Sequence, residues 1–243
     1  MGTWNVEYAR GADRNALRLS ELVRREADVW VLTETHDDLD LAPAYKAIRS
    51  QPRPGKPVRA RWVTIWTRWP LLDQLPVEDP LRTVAARLLA PHGEVIVFGT
   101  VLPWHSDRGD TPSVPPPLNW EEHHRVIPLQ GAEWAGLRAA HPAAELRIIG
   151  DLNTGITGGY GTRQGRALLA QAMAEACLTC PTADALDQDG LPLIDHVLLS
   201  DWTSSVGLAV DAWSGGGRRT SGRLSDHPGV LVATSLLGPA GER

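Results

Sequence analysis

Lysine, phenylalanine and cysteine are nearly absent from these 243 residues: two lysines among 24 basic side chains, one phenylalanine and two cysteines. Cys177 and Cys180 are too few for a disulfide framework, and without a second Cys pair they read as buried or idle thiols. No apolar run approaches the ~18 residues that a membrane span needs, and the start MGTWNVEYAR lacks the character of a signal peptide. A soluble, cytoplasmic protein with no membrane association and no evident protein partner is therefore expected. GxSxG, HExxH and Walker A motifs are also missing, which counts against serine-hydrolase, zincin and P-loop chemistry. The net charge of −5 counts against coating of nucleic acid by bulk electrostatics, though not against local basic patches.

With 42% hydrophobic and 22% charged residues, the chain can bury a sizeable core. Its ten tryptophans and abundant arginines follow from a GC-rich codon bias as readily as from function. Strands are predicted at Thr3–Tyr8, Asp28–Leu32, Arg61–Trp66, Thr83–Leu89, Glu94–Leu102, Leu146–Ile149, Ile194–Leu199, Val206–Val210 and Gly229–Ser235. Helices are predicted after an Asp13 cap, from Trp120 to about Ala140 with Pro128 breaking or kinking it, and over Arg166–Ala176. Pro43–Pro57 reads mostly as loop. Strands outnumber helices, there is no repeat or clear linker, and one domain of packed sheets with helices outside is expected over residues 1–243.

Acid and amide groups at the ends of apolar strands carry the chemical signal: Asn5 and Glu7, Glu34, Asp151 and Asn153, Asp195, then Asp226 with His227. Asp and Asn at strand ends are ordinary turn formers when taken singly. Glu34 is harder to explain that way, because Glu is a poor turn residue. Asp195 lies within LPLIDHVLLS, where an unpaired buried carboxylate is costly, so a histidine partner is expected. Converging strand ends would place several hard oxygen ligands and one imidazole in one cleft. That set suits Mg²⁺ or Mn²⁺ rather than Zn²⁺, and suits attack of water on a phosphate ester. His123 and His124 point to different faces of a helix and cannot share one ion.

The ordered motifs Trp4-Asn5-Val6, Thr33-Glu34, Gly150-Asp151-Leu152-Asn153, Ile194-Asp195-His196-Val197 and Ser225-Asp226-His227 resemble the endonuclease/exonuclease/phosphatase superfamily. That superfamily includes DNase I-like nucleases, inositol-polyphosphate phosphatases and sphingomyelinases. The resemblance implies an α/β (α+β) fold, a four-layer α/β/β/α sandwich. It implies Glu34 as main metal ligand, with Asn5 beside it and Asp226 and Glu7 as further ligands. It also implies Asp151 positioning the attacking water, Asn153 at the scissile phosphate, and Asp195 orienting His227. One position departs: where the family carries a His or Tyr after the central strand, this chain has Val101, and His105 a few residues on is either the replacement catalytic residue or a loop histidine.

Two Gly-rich basic loops flank these motifs. One carries Arg163 and Arg166; the other carries Arg218, Arg219 and Arg223. They are expected to form a positive mouth in which Arg163, Arg218 and Arg219 grip phosphates. The implied activity is divalent-metal-dependent phosphodiester hydrolysis, as a nuclease acting on nucleic acid. The alternatives are a phosphatase or phosphodiesterase acting on a small phosphorylated metabolite or lipid headgroup, and a non-catalytic binding module on the same fold.

Overall fold

The computed structural model describes residues 1–57, 59–109, 116–200, 206–214 and 223–236. Within these described residues, twelve strands form two six-stranded sheets. In the first, the order is β11 (Val206–Ser214), β12 (Pro228–Leu236), β1 (Gly2–Asn5), β2 (Val29–His36), β4 (Ala60–Thr67) and β3 (Lys46–Arg49). In the second it is β5 (Leu71–Leu75), β6 (Thr83–Ala90), β7 (Gly93–Val101), β8 (Glu145–Asp151), β10 (Asp195–Ser200) and β9 (Leu178–Thr179). Helix α1 (Ala12–Arg24) covers the first sheet; α2 (Glu121–Ala140) and α3 (Arg163–Glu175) cover the second.

Alternation along the strands builds these four layers. Val95, Val97 and Val101 of β7 enter the core between the sheets with Val31 of β2 and Val63 and Ile65 of β4. Ile96 and Phe98 point the other way, onto Ile127 and Trp134 of α2 and Leu169 of α3. Trp4, Trp30 and Leu32 leave the first sheet on its outer face to meet Leu22 of α1. Gly99 marks how closely the sheets approach: a Cβ there would lie 2.7 Å from Val63 Cγ1.

Several sequence expectations shift. Strand β1 stops at Asn5 and a short 3₁₀ turn, Glu7–Ala9, follows. Gly11 rather than Asp13 caps α1, without a side-chain bond, and Asp13 instead lies in the first turn, where its charge suits the helix dipole. Strand β3 lies inside the stretch expected as loop, and β5 and β9 are additional. Helix α2 runs through Pro128, which faces solvent while Val126, Ile127 and Trp134 anchor the helix on either side. Cys177 is exposed rather than buried; Cys180 is half-buried, and both are free thiols. Among the described residues no helix is long and apolar enough to cross a membrane.

Candidate active site

The same alternation delivers the site. Asn5 shares the inner-facing parity of Thr3, Asp151 that of Ile149, and Asp195 that of Val197 and Leu199. All three stand where the inter-sheet core ends, so polar groups replace valines as the sheets open into a cleft. Strict alternation would send Glu34 to the outer face with Trp30 and Leu32. A left-handed backbone at Glu34 (φ 50°) breaks the period, with Thr33 paired to Val63 and Thr35 to Arg61. Glu7 (φ 47°) and Asn153 (φ 48°) are also left-handed. Such conformations cost about 1 kcal/mol or more for residues with a Cβ and gather at functional sites.

Asp195, fully buried, accepts a 2.6 Å hydrogen bond from His227 Nδ1 with Oδ2. Its Oδ1 is also buried and has no hydrogen-bond partner. Asp151 stands opposite Asp195 in the register of β8 and β10. One ligand atom from each of Asp151, Asp195 and His227 lies within 4.8 Å of the others. Asp151 Oδ2 accepts from Asn5 Nδ2 at 3.1 Å, and its Oδ1 accepts from the Asn153 backbone N–H at 2.9 Å. Asn153 Nδ2 donates to the Leu102 carbonyl, which fixes that side chain. Asn5 Oδ1 accepts from the Glu7 backbone N–H.

Charge follows from this geometry. Burial, reinforced by the neighbouring Asp195, raises the Asp151 carboxyl above the ordinary range. Burial acts against a charged His227, but Asp195, Asp151 and Asp226 outweigh it and raise that imidazole's pKa. Burial also raises Glu34, opposed chiefly by Arg53 and His227. Asp151, Asp195 and His227 offer ligand atoms close enough to share one ion, Asp195 Oδ1 is unsatisfied, and Glu34 lies near Asn5 and Asp226, so the chemistry of the site suits a divalent cation.

The remaining expected residues are placed unevenly. Asp226 is exposed beside His227 on a cleft of about 550 Å³, which Asn153, Tyr160, Pro192 and Arg223 also line. The Glu7 carboxylate pairs with Arg223 at 3.2 Å and lies 4.0 Å from Arg14. Val101 is core. His105 is exposed, its ring 6.0 Å from Trp120, and it takes no part in the hydrogen bonds of the Asp195–His227 pair. Tyr160, whose ring is 5.1 Å from Trp120, extends that aromatic cluster into the cleft. Arg163 is exposed at the start of α3 and is not one of the cleft-lining residues. Arg218 and Arg219 lie outside the described residues, while Arg223 from the same segment reaches the cleft.

Sequence reading missed the support behind the site. His123 Nε2 meets Thr154 Oγ1 at 2.8 Å and His196 Nε2 meets the Thr154 carbonyl at 3.0 Å, so two buried imidazoles grip the residue after Asn153. Helix α1 holds the other side: Arg18 donates to the Leu224 carbonyl from Nε (2.9 Å) and Nη2 (2.6 Å), three residues before His227. Only the apolar run around His196 hinted at any of this.

Two packed mixed sheets between helices, with a part-buried Asp-His pair at one mouth, define a DNase I-like fold. The chain belongs to the Endonuclease/Exonuclease/phosphatase family, whose model matches residues 2–227, and this superfamily comprises metal-dependent phosphoesterases. No curated protein matches it by sequence. It is similar in structure to the human Nocturnin catalytic domain with bound sulfate anion (TM-score 0.67, 15% identity, 97% of this chain and 93% of that one). It is also similar to the 3′ phosphatase NExo from Neisseria bound to product DNA hairpin (0.69, 18%, 96% and 98%). A third likeness is the Bacteroides thetaiotaomicron mannosyl-6-phosphatase (0.65, 14%, 97% and 98%). At these identities the likenesses establish the fold.

Proposed function

We propose that this chain is a Mg²⁺- or Mn²⁺-dependent phosphoesterase that hydrolyses phosphodiester bonds as a nuclease. The carrying observation is the 2.6 Å Asp195–His227 pair set against Asp151, which is itself tied to Asn5. Asp195 accepts a hydrogen bond from His227 Nδ1–H and favours the protonated ring, whose Nε2–H donates to a phosphoryl oxygen. Asp151 orients the attacking water and accepts its proton. Asn153, locked by its bond to Leu102, holds the scissile phosphate in line. A divalent ion held by Glu34 and Asn5, with Asp226 beside them, would supply neutralisation of the charge that develops on the phosphoryl oxygens. Arg223 contributes positive charge at the mouth, the part expected of its Gly- and Arg-rich segment.

Nicking of supercoiled plasmid tests this, with wild type beside His227→Ala and each repeated in EDTA. Metal-dependent nicking that disappears in the variant supports both nuclease and site. Nicking that survives in His227→Ala rejects the site.

One observation favours a second reading. A cleft of about 550 Å³ is the size of a small-molecule pocket, which suits a phosphorylated metabolite or headgroup. Salt separates the two, because a polynucleotide footprint loses affinity steeply with ionic strength and a small ester does not.

A further inference from the structure

Arg53 is a deeply buried basic residue held by aromatic rings rather than by acceptors. It is 6% exposed, yet its Nη1 is buried without a hydrogen-bond partner. Its guanidinium lies 3.4 Å from the centroid of the Trp62 ring and 4.9 Å from that of Tyr8. Both aromatic residues lie close in the chain or in the sheet to residues of the site. Trp62 lies across from Glu34, between the Val63 and Arg61 positions that pair with Thr33 and Thr35. Tyr8 follows Asn5 by three residues, in the left-handed turn (φ 65°) that also carries Glu7. Arg53 heads the charges that oppose protonation of Glu34.

Two aromatic faces hold a planar guanidinium in one orientation and remove most of its rotamer freedom in advance. A cation stacked in this way satisfies its π-faces but not its in-plane donors, and Arg53 Nη1 has no hydrogen-bond acceptor. Arg18, just as deeply buried, spends its donors on the Leu224 carbonyl and Asn15 Oδ1, and buried Arg82 spends its own on Asp107. An unpaired donor in a buried guanidinium costs free energy unless a ligand completes it. The fork matches one chemical class well, an oxyanion presenting two oxygens, and phosphate is the natural occupant of this cleft.

We propose that Arg53 is a substrate-binding residue that grips a phosphate oxyanion at the Glu34 end of the site. This rests on the phosphoesterase reading for the identity of the substrate, but not for the existence of the anion site. Tyr8 and Trp62 orient Arg53 and do not themselves touch the anion. The site requires a planar fork, so it distinguishes arginine from lysine.

Inorganic phosphate is the probe, titrated calorimetrically into wild type, Arg53→Lys and Arg53→Gln, with Mg²⁺ present and each variant checked by thermal melting. Arg53→Lys keeps the charge and is the variant expected to remain folded. Phosphate binding is expected to weaken about tenfold in Arg53→Lys and further in Arg53→Gln. With a cleaved substrate, KM is expected to rise while kcat changes little. Phosphate affinity in a folded Arg53→Lys equal to wild type overturns the proposal, as does a wild type that does not bind phosphate. Arg53-dependent phosphate binding in a protein that cleaves no ester would reject the phosphoesterase reading and leave the anion site standing.

Discussion

Asn5 Nδ2 donates to Asp151 Oδ2 at 3.1 Å, tying the last residue of β1 to the last residue of β8 across the gap between the two sheets. Asn5 thereby joins the Glu34 side of the cleft to the Asp195–His227 side. Replacing it disturbs both. In Asn5→Ala, the metal concentration for half-maximal activity should rise about tenfold, as for a lost ligand or ligand-orienting group. A Mn²⁺ titration of activity measures this, and Glu34→Gln should shift it further.

Asp195→Asn retains shape while removing the charge that His227 faces. Hydrolysis should fall by about 10²–10⁴, the range for losing a positioned acid–base group. Because Asp195 is the strongest of the groups raising the His227 pKa, that pKa should drop in the variant. Proton NMR titration of the His227 ring in metal-free protein reads the shift. An unmoved titration with full activity would refute the pairing.

Arg18→Met tests the strut behind His227. It strips donors from the Leu224 carbonyl and from Asn15 Oδ1, all buried. The cost should be about 2–4 kcal/mol in urea unfolding, since each orphaned acceptor costs about 1–3 kcal/mol. Activity at a temperature where the variant is fully folded should fall as well, because His227 follows Leu224 by three residues.

His123 and His196 make stability depend on pH. Burial is the chief cause that lowers both imidazoles from 6.5 to about 4. Between those values the unfolded chain binds protons that the folded chain does not. Their contribution is therefore fully present above pH 6.5 and is lost as pH falls toward 4, by up to about 3 kcal/mol each. Urea melts at about pH 7.5, 5.5 and 4.5 should show this loss. His196→Gln should start less stable and lose less over the same window.

Much of this architecture can be read from local pattern. Glu94–Leu102 alternates because β7 is covered by a second sheet on one face and by helices on the other, with valines on the first and Ile96 and Phe98 on the second. Strand β5 shows no such pattern, being an edge strand with a largely exposed middle, and β9 has only two residues. Pro128 is a local stop signal that packing overrides, since an exposed proline removes one helix bond while its neighbours keep their apolar contacts.

The chain order of Asn5, Glu34, Asp151, Asp195 and His227 belongs to the sequence alone, as do their residue types and their places at the ends of apolar runs. These follow from period-two alternation and from the cost of burying an unpaired carboxylate, both local properties. Tertiary structure decided which groups meet. His227 reaches Asp195 across 32 residues and two sheets, and Asn5 reaches Asp151 across 146. It also set Glu34 on the cleft by breaking the strand period, and stacked Arg53 between Tyr8 and Trp62. No spacing encodes such pairings, because they arise only when two sheets from distant segments close on one core.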